Sequence, residues 1–313
     1  MPPNVGKPDF EETFYIYTRS LRFHAYKITK YDYKSGEVVS IGFRIAGVKK
    51  GCVNFTLNMD GELYINGVDY NEKCAAEGPD FKMPRGPGTV HMLNTAFSYM
   101  LQTHGTAVRA VYLNDASKVS CKFKTDTRKI MLMYSYIALH GKTWYESKFH
   151  AVIDDDAVRQ SYDKRIEVLT DAAAKKAFDV TRFRMGDAQI SESEQDRIRA
   201  IYKDSHTFAV FFRNIRNEFV NDYCMVTYRW VDQFIDNVVL QGKVSNFTRW
   251  TIPIDRIRQV EFTIAPAADM PTDDHVWEGG GMQTGSGRED LLNWYHAAGT
   301  GGLDARYGWE LPW

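Results

Sequence analysis

No Cys-x-x-Cys pair occurs in this 313-residue chain. Its four cysteines, Cys52, Cys74, Cys121 and Cys224, stand far apart, which argues against a zinc framework. The N-terminus MPPNVGKPDFEE lacks a basic segment followed by an apolar one, so secretion is not indicated. Without secretion the scattered cysteines read as reduced thiols in a cytosolic setting. The sequons at Asn54 and Asn246 then read as chance matches. The longest apolar stretch, Ile130 to Leu139, is too short to span a bilayer. The net charge is −1 and no basic run stands out, so neither nucleic acid nor an acidic membrane is an expected partner. No serine-hydrolase elbow, Walker loop or His-Glu-x-x-His is present, and no internal repeat.

What the chain does have is aromatic residues, at 14%. Such a surplus implies large buried faces, in a core or against partners. The length suits one large domain or two ordinary ones.

The N-terminal third reads as strands. Phe14 to Ile28 and Glu37 to Val48 are rich in Tyr, Phe, Ile and Val, with turn residues from Tyr31 to Gly36 between them. Cys52 to Met59 and Glu62 to Val68 alternate around Asp60-Gly61, a strong hairpin signal. The Gly/Pro turn Arg85-Gly86-Pro87-Gly88 then opens a helix, with Val90, Leu93, Phe97, Met100 and Leu101 on one face and Gly105 as its stop. Ala107 to Leu113 is a strand, closed by Asn114-Asp115. Lys118 to Phe123 is another strand, and Thr127 to His140 a deeply buried helix capped by Gly141. Ala151 to Ile153 closes the sheet.

From Asp154 the character becomes helical. Asp154-Asp155-Asp156 suits a helix start better than a cation site, because adjacent carboxylates do not converge. Ser191-Glu192-Ser193-Glu194 fits a capping box. Phe208, Phe211, Phe212, Ile215 and Phe219 form one apolar stripe, and Val231, Phe234, Ile235, Val238 and Val239 another. Phe247 to Pro266 returns to strand composition. Ala267 to Trp313 is Gly-rich with spaced aromatics. The fold class expected is α/β (α+β): antiparallel N-terminal strands and a mixed sheet over residues 1–153, a helical region over 154–246, and over 247–313 a strand segment with an extended arm.

The turn, helix and strand after a meander resemble the GNAT acetyltransferase superfamily, which carries Arg/Gln-x-x-Gly-x-Gly/Ala before the helix that holds acetyl-CoA. Here the run is Arg85-Gly86-Pro87-Gly88-Thr89-Val90. The resemblance implies a GNAT-like core, with Arg85, Gly86, Gly88 and Thr89 at the pyrophosphate. The run Tyr145-Glu146-Ser147-Lys148-Phe149 is similar to the family's closing motif and implies Tyr145 as the acid that reprotonates the thiolate. Three positions depart from the pattern. Val90 stands where the family has Gly or Ala, Lys148 replaces the Gly before Phe149, and Pro87 removes an N–H from the loop. Tyr112 to Ser117 and His140 to Glu146 resemble segments in proteins of large icosahedral DNA viruses.

The viral-like runs point to a viral source, and the departures in the loop with the spaced aromatics of the tail favour a structural protein with no cofactor, a minor capsid type of component assembled in the host cytoplasm and carried in the virion. Its partners would be neighbouring subunits, met through Trp277, Trp294, Tyr295, Tyr307, Trp309 and Trp313. The alternative implied is an acetyl-CoA-dependent N-acyltransferase.

Overall fold

The computed structural model describes residues 9–19, 21–32, 34–46, 51–68, 74, 86–122, 127–183, 185 and 190–267. In chain order the strands are β1 (Phe10–Tyr17), β2 (Arg22–Tyr31), β3 (Val38–Ala46), β4 (Gly51–Asn58), β5 (Glu62–Val68), β6 (Ala110–Asn114), β7 (Lys118–Lys122), β8 (Thr127–Met131), β9 (Val152–Ile153), β10 (Arg249–Ile252) and β11 (Thr263–Pro266). The α-helices are α1 (Pro87–His104), α2 (Leu132–His140), α3 (Trp144–Phe149), α4 (Asp156–Ile166), α5 (Ala172–Ala177), α6 (Glu192–Asp204), α7 (Phe208–Glu218), α8 (Tyr223–Thr227) and α9 (Trp230–Phe234). The class is mixed α/β with a largely antiparallel sheet. The chain forms two compact units, one from Met1–Val111 with Ile257–Pro312, the other from Tyr112–Arg256.

In the first unit the strand order is β11-β1-β2-β3-β4-β5, and every one of these neighbours is antiparallel. Alternation sends Phe14, Ile16, Phe23, Ala25, Phe43, Ile45, Val53, Phe55 and Leu57 to one buried face. Helix α1 packs there. Tyr99 stacks on Phe43 with ring centroids 4.5 Å apart, and Phe97 meets Phe55 at 5.0 Å. The Asp60-Gly61 turn forms as expected. Gly61 has φ +88, and a Cβ on it would lie 2.4 Å from the Ala107 carbonyl oxygen, so only glycine fits.

Two expectations change in this unit. Phe14 to Ile28 is not one strand but a hairpin. Thr18 N–H donates to the Leu21 carbonyl at 2.8 Å, and Leu21 N–H donates to Thr18 Oγ1 at 3.1 Å. The Thr18 side chain thus does the work of the missing Gly or Asn. Helix α1 is also buried beyond a single face. Residues 91–100 are all buried, while Val90 and Leu101 are only half-buried. Small polar side chains make this possible by finding partners within the helix or on the segment packed against it. Thr95 Oγ1 donates to the His91 carbonyl at 2.9 Å, and Ser98 Oγ accepts from Val260 N–H at 2.7 Å.

In the second unit β10 lies between β6 and β9, and β7 pairs with β8. Thr127 to Met131 is therefore strand, not the first turns of a helix. Its pairing with β7 overrides the helix-like apolar spacing. Helix α2 starts only at Leu132 and is half-buried rather than enclosed. Gly141 ends it at φ 67, with its N–H on the Ile137 carbonyl, the left-handed stop that the sequence suggested.

Helices α4 to α7 begin on side-chain caps. Asp155 Oδ1 accepts from Val158 N–H at 2.9 Å. Ser191 and Glu194 form the full capping box. Thr207 caps α7. The α7 stripe enters an aromatic core. Phe183 stacks on Phe211 at 5.5 Å, Trp230 on Phe212 at 6.1 Å, and Phe208 meets Phe234 at 4.8 Å. After α9 the chain widens into a π-helix over Ile235–Leu240.

The cysteines correct the expectation of free thiols. Cys52 pairs with Cys74 and Cys121 with Cys224, with Cα atoms 5.8 and 5.9 Å apart, inside the range a disulfide spans. Nothing in sequence spacing marks partners 22 and 103 residues apart.

Candidate functional site

The turn before α1 keeps part of the expected anion-binding geometry. Gly86 is the N-cap at φ 76, a conformation that favours glycine. Pro87 occupies the first helical position, where the amide would have no helical partner. No side chain caps this end and its first turn holds no acid. Gly88 and Thr89, whose amides would face a pyrophosphate, are themselves buried. Arg85 lies outside the described residues.

Tyr145 sits in the second unit on α3. Thr143 starts that helix through a capping box. Glu146 N–H donates to Thr143 Oγ1 at 3.2 Å, and Thr143 N–H donates to Glu146 Oε2 at 2.5 Å. Tyr162 OH donates to the same Oε2 at 2.6 Å. Burial raises the Glu146 carboxyl above its ordinary range, against these hydrogen bonds that lower it. Beside it, Tyr145 is only 4% exposed. Its ring lies edge-on to Trp144 at 4.9 Å, and its hydroxyl hydrogen-bonds to Ser117. Burial, with the Asp115 charge adding, pushes this phenol well above its usual value.

Asp115 completes the cluster. It is 1% exposed and accepts from Ser117 N–H at 3.4 Å. Its Oδ2 has no hydrogen-bond partner among the described residues. Burial pushes its pKa up to about 6, with Glu146 adding and Ser117 opposing. The runs Tyr112 to Ser117 and His140 to Glu146 thus converge. Asp115 and Ser117 come from the first, Thr143, Tyr145 and Glu146 from the second. A protonated phenol is the right species for a general acid, but it acts only within hydrogen-bond reach of the leaving group. Tyr145 reaches Ser117 instead.

Sequence reading missed Asp115, Glu146 and Tyr162. For Glu146 a signal existed, since Thr143-Trp144-Tyr145-Glu146 has capping-box spacing. For Asp115 and Tyr162 none did, because their burial depends on distant segments.

A second acidic pair joins α2 to the last helices of this unit. Asp232 Oδ2 accepts from Met131 N–H at 3.3 Å, and Tyr134 OH donates to Asp236 Oδ1 at 3.2 Å. Burial first, then the Asp236 charge, pushes Asp232 up to about 6. A hollow between α6 and α7, lined by Ile201, Asp204, Asn214, Asn217 and Glu218, includes none of the anticipated residues. Trp277, Trp294, Tyr295, Tyr307, Trp309 and Trp313 lie outside the described residues. Among the described residues, no group of three His, Cys, Asp or Glu side chains could hold a metal ion, and no helix is long and apolar enough to cross a membrane.

Compared with known proteins, the chain matches no family model, no curated protein and no solved structure.

Proposed function

We propose that this chain is a structural component of a large DNA virus particle, of the minor capsid type, built on a degenerate acetyltransferase-like fold and bound to neighbouring subunits. One observation carries the reading. Tyr145, the residue that would act as the acid of an acyltransferase, is 4% exposed and is held by Ser117 beside Asp115. A thiolate has no way to meet it without opening that cluster. The convergence of the two viral-like runs on the same cluster supports the particle reading. So do the two disulfides, which persist on virion surfaces and are rare in proteins that stay in the cytosol.

The acyltransferase reading keeps one observation in its favour. The meander, the positive-φ Gly86 and α1 follow one another as that family's order implies. Calorimetric titration of the full chain with acetyl-CoA separates the two readings. No heat is expected at micromolar ligand. Binding at about −8 kcal/mol or tighter, which is micromolar, would overturn the structural reading.

A further inference from the structure

The sheet of the first unit has two faces, and the only α-helix among the described residues of that unit lies on one of them. The other carries polar aromatics and arginines. Register places Thr13, Tyr26, Arg44 and Asn54 in one cross-strand row, Tyr15 and His24 in the next, and Tyr17 and Arg22 in the one beyond. These side chains form a ladder. The Arg22 guanidinium lies over the Tyr15 ring at 5.2 Å. Tyr15 stacks on His24 at 5.0 Å. His24 meets Tyr26 at 4.6 Å, with Tyr26 OH 3.2 Å from His24 Nδ1. Tyr15, His24, Tyr26 and Arg44 are all half-buried. Burial and Arg22 lower the His24 pKa, so at neutral pH the arginines and Lys30 supply the positive charge. Glu11 sits in the row beside Tyr26 and its charge acts on that phenol, and Tyr64 OH donates to Glu62. Tyrosine and arginine together, with a sheet behind them, are the composition of a protein-binding hot spot.

The sequence contains an acceptable occupant. Residues 268–313 hold eight acidic residues against Arg288 and Arg306, a net charge of −6, and the remaining 267 residues carry +5. A chain that is nearly neutral overall is thus split into an acidic, aromatic segment and a basic body. The segment follows β11, whose Pro266 pairs with Phe14, next to the row of Thr13 and Tyr26.

We propose that the open face of the first unit's sheet, centred on Tyr15, His24, Tyr26 and Arg44, receives the segment 268–313 of a neighbouring copy. This rests on the assembly reading above and gives it a donor and a receiver on one chain. Such a head-to-tail contact extends from copy to copy rather than closing on itself unless the rotation between copies forms a ring. Because opposite charges meet at a solvent-accessible face, association weakens as salt rises.

The test uses the full chain with Tyr26→p-benzoylphenylalanine, a photo-crosslinker, in an equal mixture of unlabelled and nitrogen-15-labelled copies. After irradiation, cross-linked peptides are identified by mass spectrometry. The expected result is cross-links from position 26 to peptides within 268–313, about half of them joining a labelled to an unlabelled copy. Cross-links only within one isotope would mean that the segment seats on its own sheet, and would overturn the proposal. So would cross-links confined to other segments. An Arg44→Glu variant gives a second readout that leaves the aromatic ladder in place. Its self-association at low salt is expected to weaken about tenfold, and unchanged self-association would count against the proposal. Copies that still associate through another surface would leave the assembly reading standing while this seat falls. The acetyl-CoA titration judges the assembly reading separately.

Discussion

Asp115 and Tyr145 share one hydrogen-bonding residue, Ser117, inside a closed cluster, and burial first, then the charge of the carboxylate, keeps the phenol protonated. Burial first, and then the charge of Glu146, raises the carboxyl of Asp115 against its hydrogen bonds to Ser117. Its pKa of about 6 in the fold stands above the ordinary 3.8. The folded chain therefore holds this proton more tightly than the unfolded chain does. The stability contributed by the protonated form is complete below pH 3.8 and is lost as pH rises to about 6. By linkage the loss is about 3 kcal/mol at neutral pH. Asp115→Asn keeps an oxygen for Ser117 N–H and removes the charge. The variant is expected to be more stable than the parent at pH 7.5, with the gain vanishing towards pH 4, measured as paired denaturant melts across pH.

His91 should show the opposite slope. Burial, with Arg258 adding, lowers its pKa from 6.5 to about 4. The fold favours the neutral ring, so its contribution is complete above pH 6.5 and lost as pH falls towards 4. The expected loss is about 3 kcal/mol over that window. His91→Gln retains an amide for Thr18 Oγ1, which lies 3.2 Å from His91 Nε2. Acid titration of the variant is expected to show a correspondingly smaller loss. An identical acid profile in variant and parent would refute this assignment.

Reduction should weaken each unit separately. Cys52–Cys74 closes a loop of 22 residues and Cys121–Cys224 one of 103. The chain-entropy relation gives about 3.4 and about 4.7 kcal/mol. Differential scanning calorimetry of the double variant Cys121→Ala/Cys224→Ala is expected to show the larger drop, and Cys52→Ala/Cys74→Ala the smaller.

Arg229 holds φ 66 and ψ −50, and Trp230 N–H donates to the Tyr228 carbonyl at 2.9 Å. That is a γ-turn closed at a non-glycine residue, a strained conformation. Its side chain also lies over the Tyr228 ring at 5.2 Å. Arg229→Gly relieves the backbone and is expected to stabilise by about 1 kcal/mol. Arg229→Ala keeps the strain and loses the cation–π contact, and is expected to destabilise by about 0.5–1 kcal/mol. Chemical denaturation of the pair checks the opposite signs.

Local signals were legible where the cause is local. Asp60-Gly61 marks a hairpin because the turn needs a positive φ, and Ser191 with Glu194 marks a helix start because both partners lie within one turn. The apolar stripe of Phe208, Phe211, Phe212 and Ile215 correctly marked α7. The hairpin at Thr18 escaped because a hydroxyl replaces the usual Gly or Asn. Thr127 to Met131 read as helix because its pairing with β7 is not written in its own spacing. Short α5 and α8 carry too few turns for a period to show. The disulfides and the Asp115 cluster depend on segments that meet only in the folded chain. For the same reason Tyr145 could be placed on a motif but not seen to be enclosed.

Strand β1 leaves the ribosome about 250 residues ahead of β11, with which it pairs. The whole of Tyr112–Arg256 lies between them as one unbroken insertion. During vectorial synthesis that insertion has all its strands and helices in hand before the edge of the first sheet is covered. The order of completion therefore runs against the order of synthesis. The unit begun first is finished last, and until then β1 offers a free edge that a chaperone or another nascent chain could pair with.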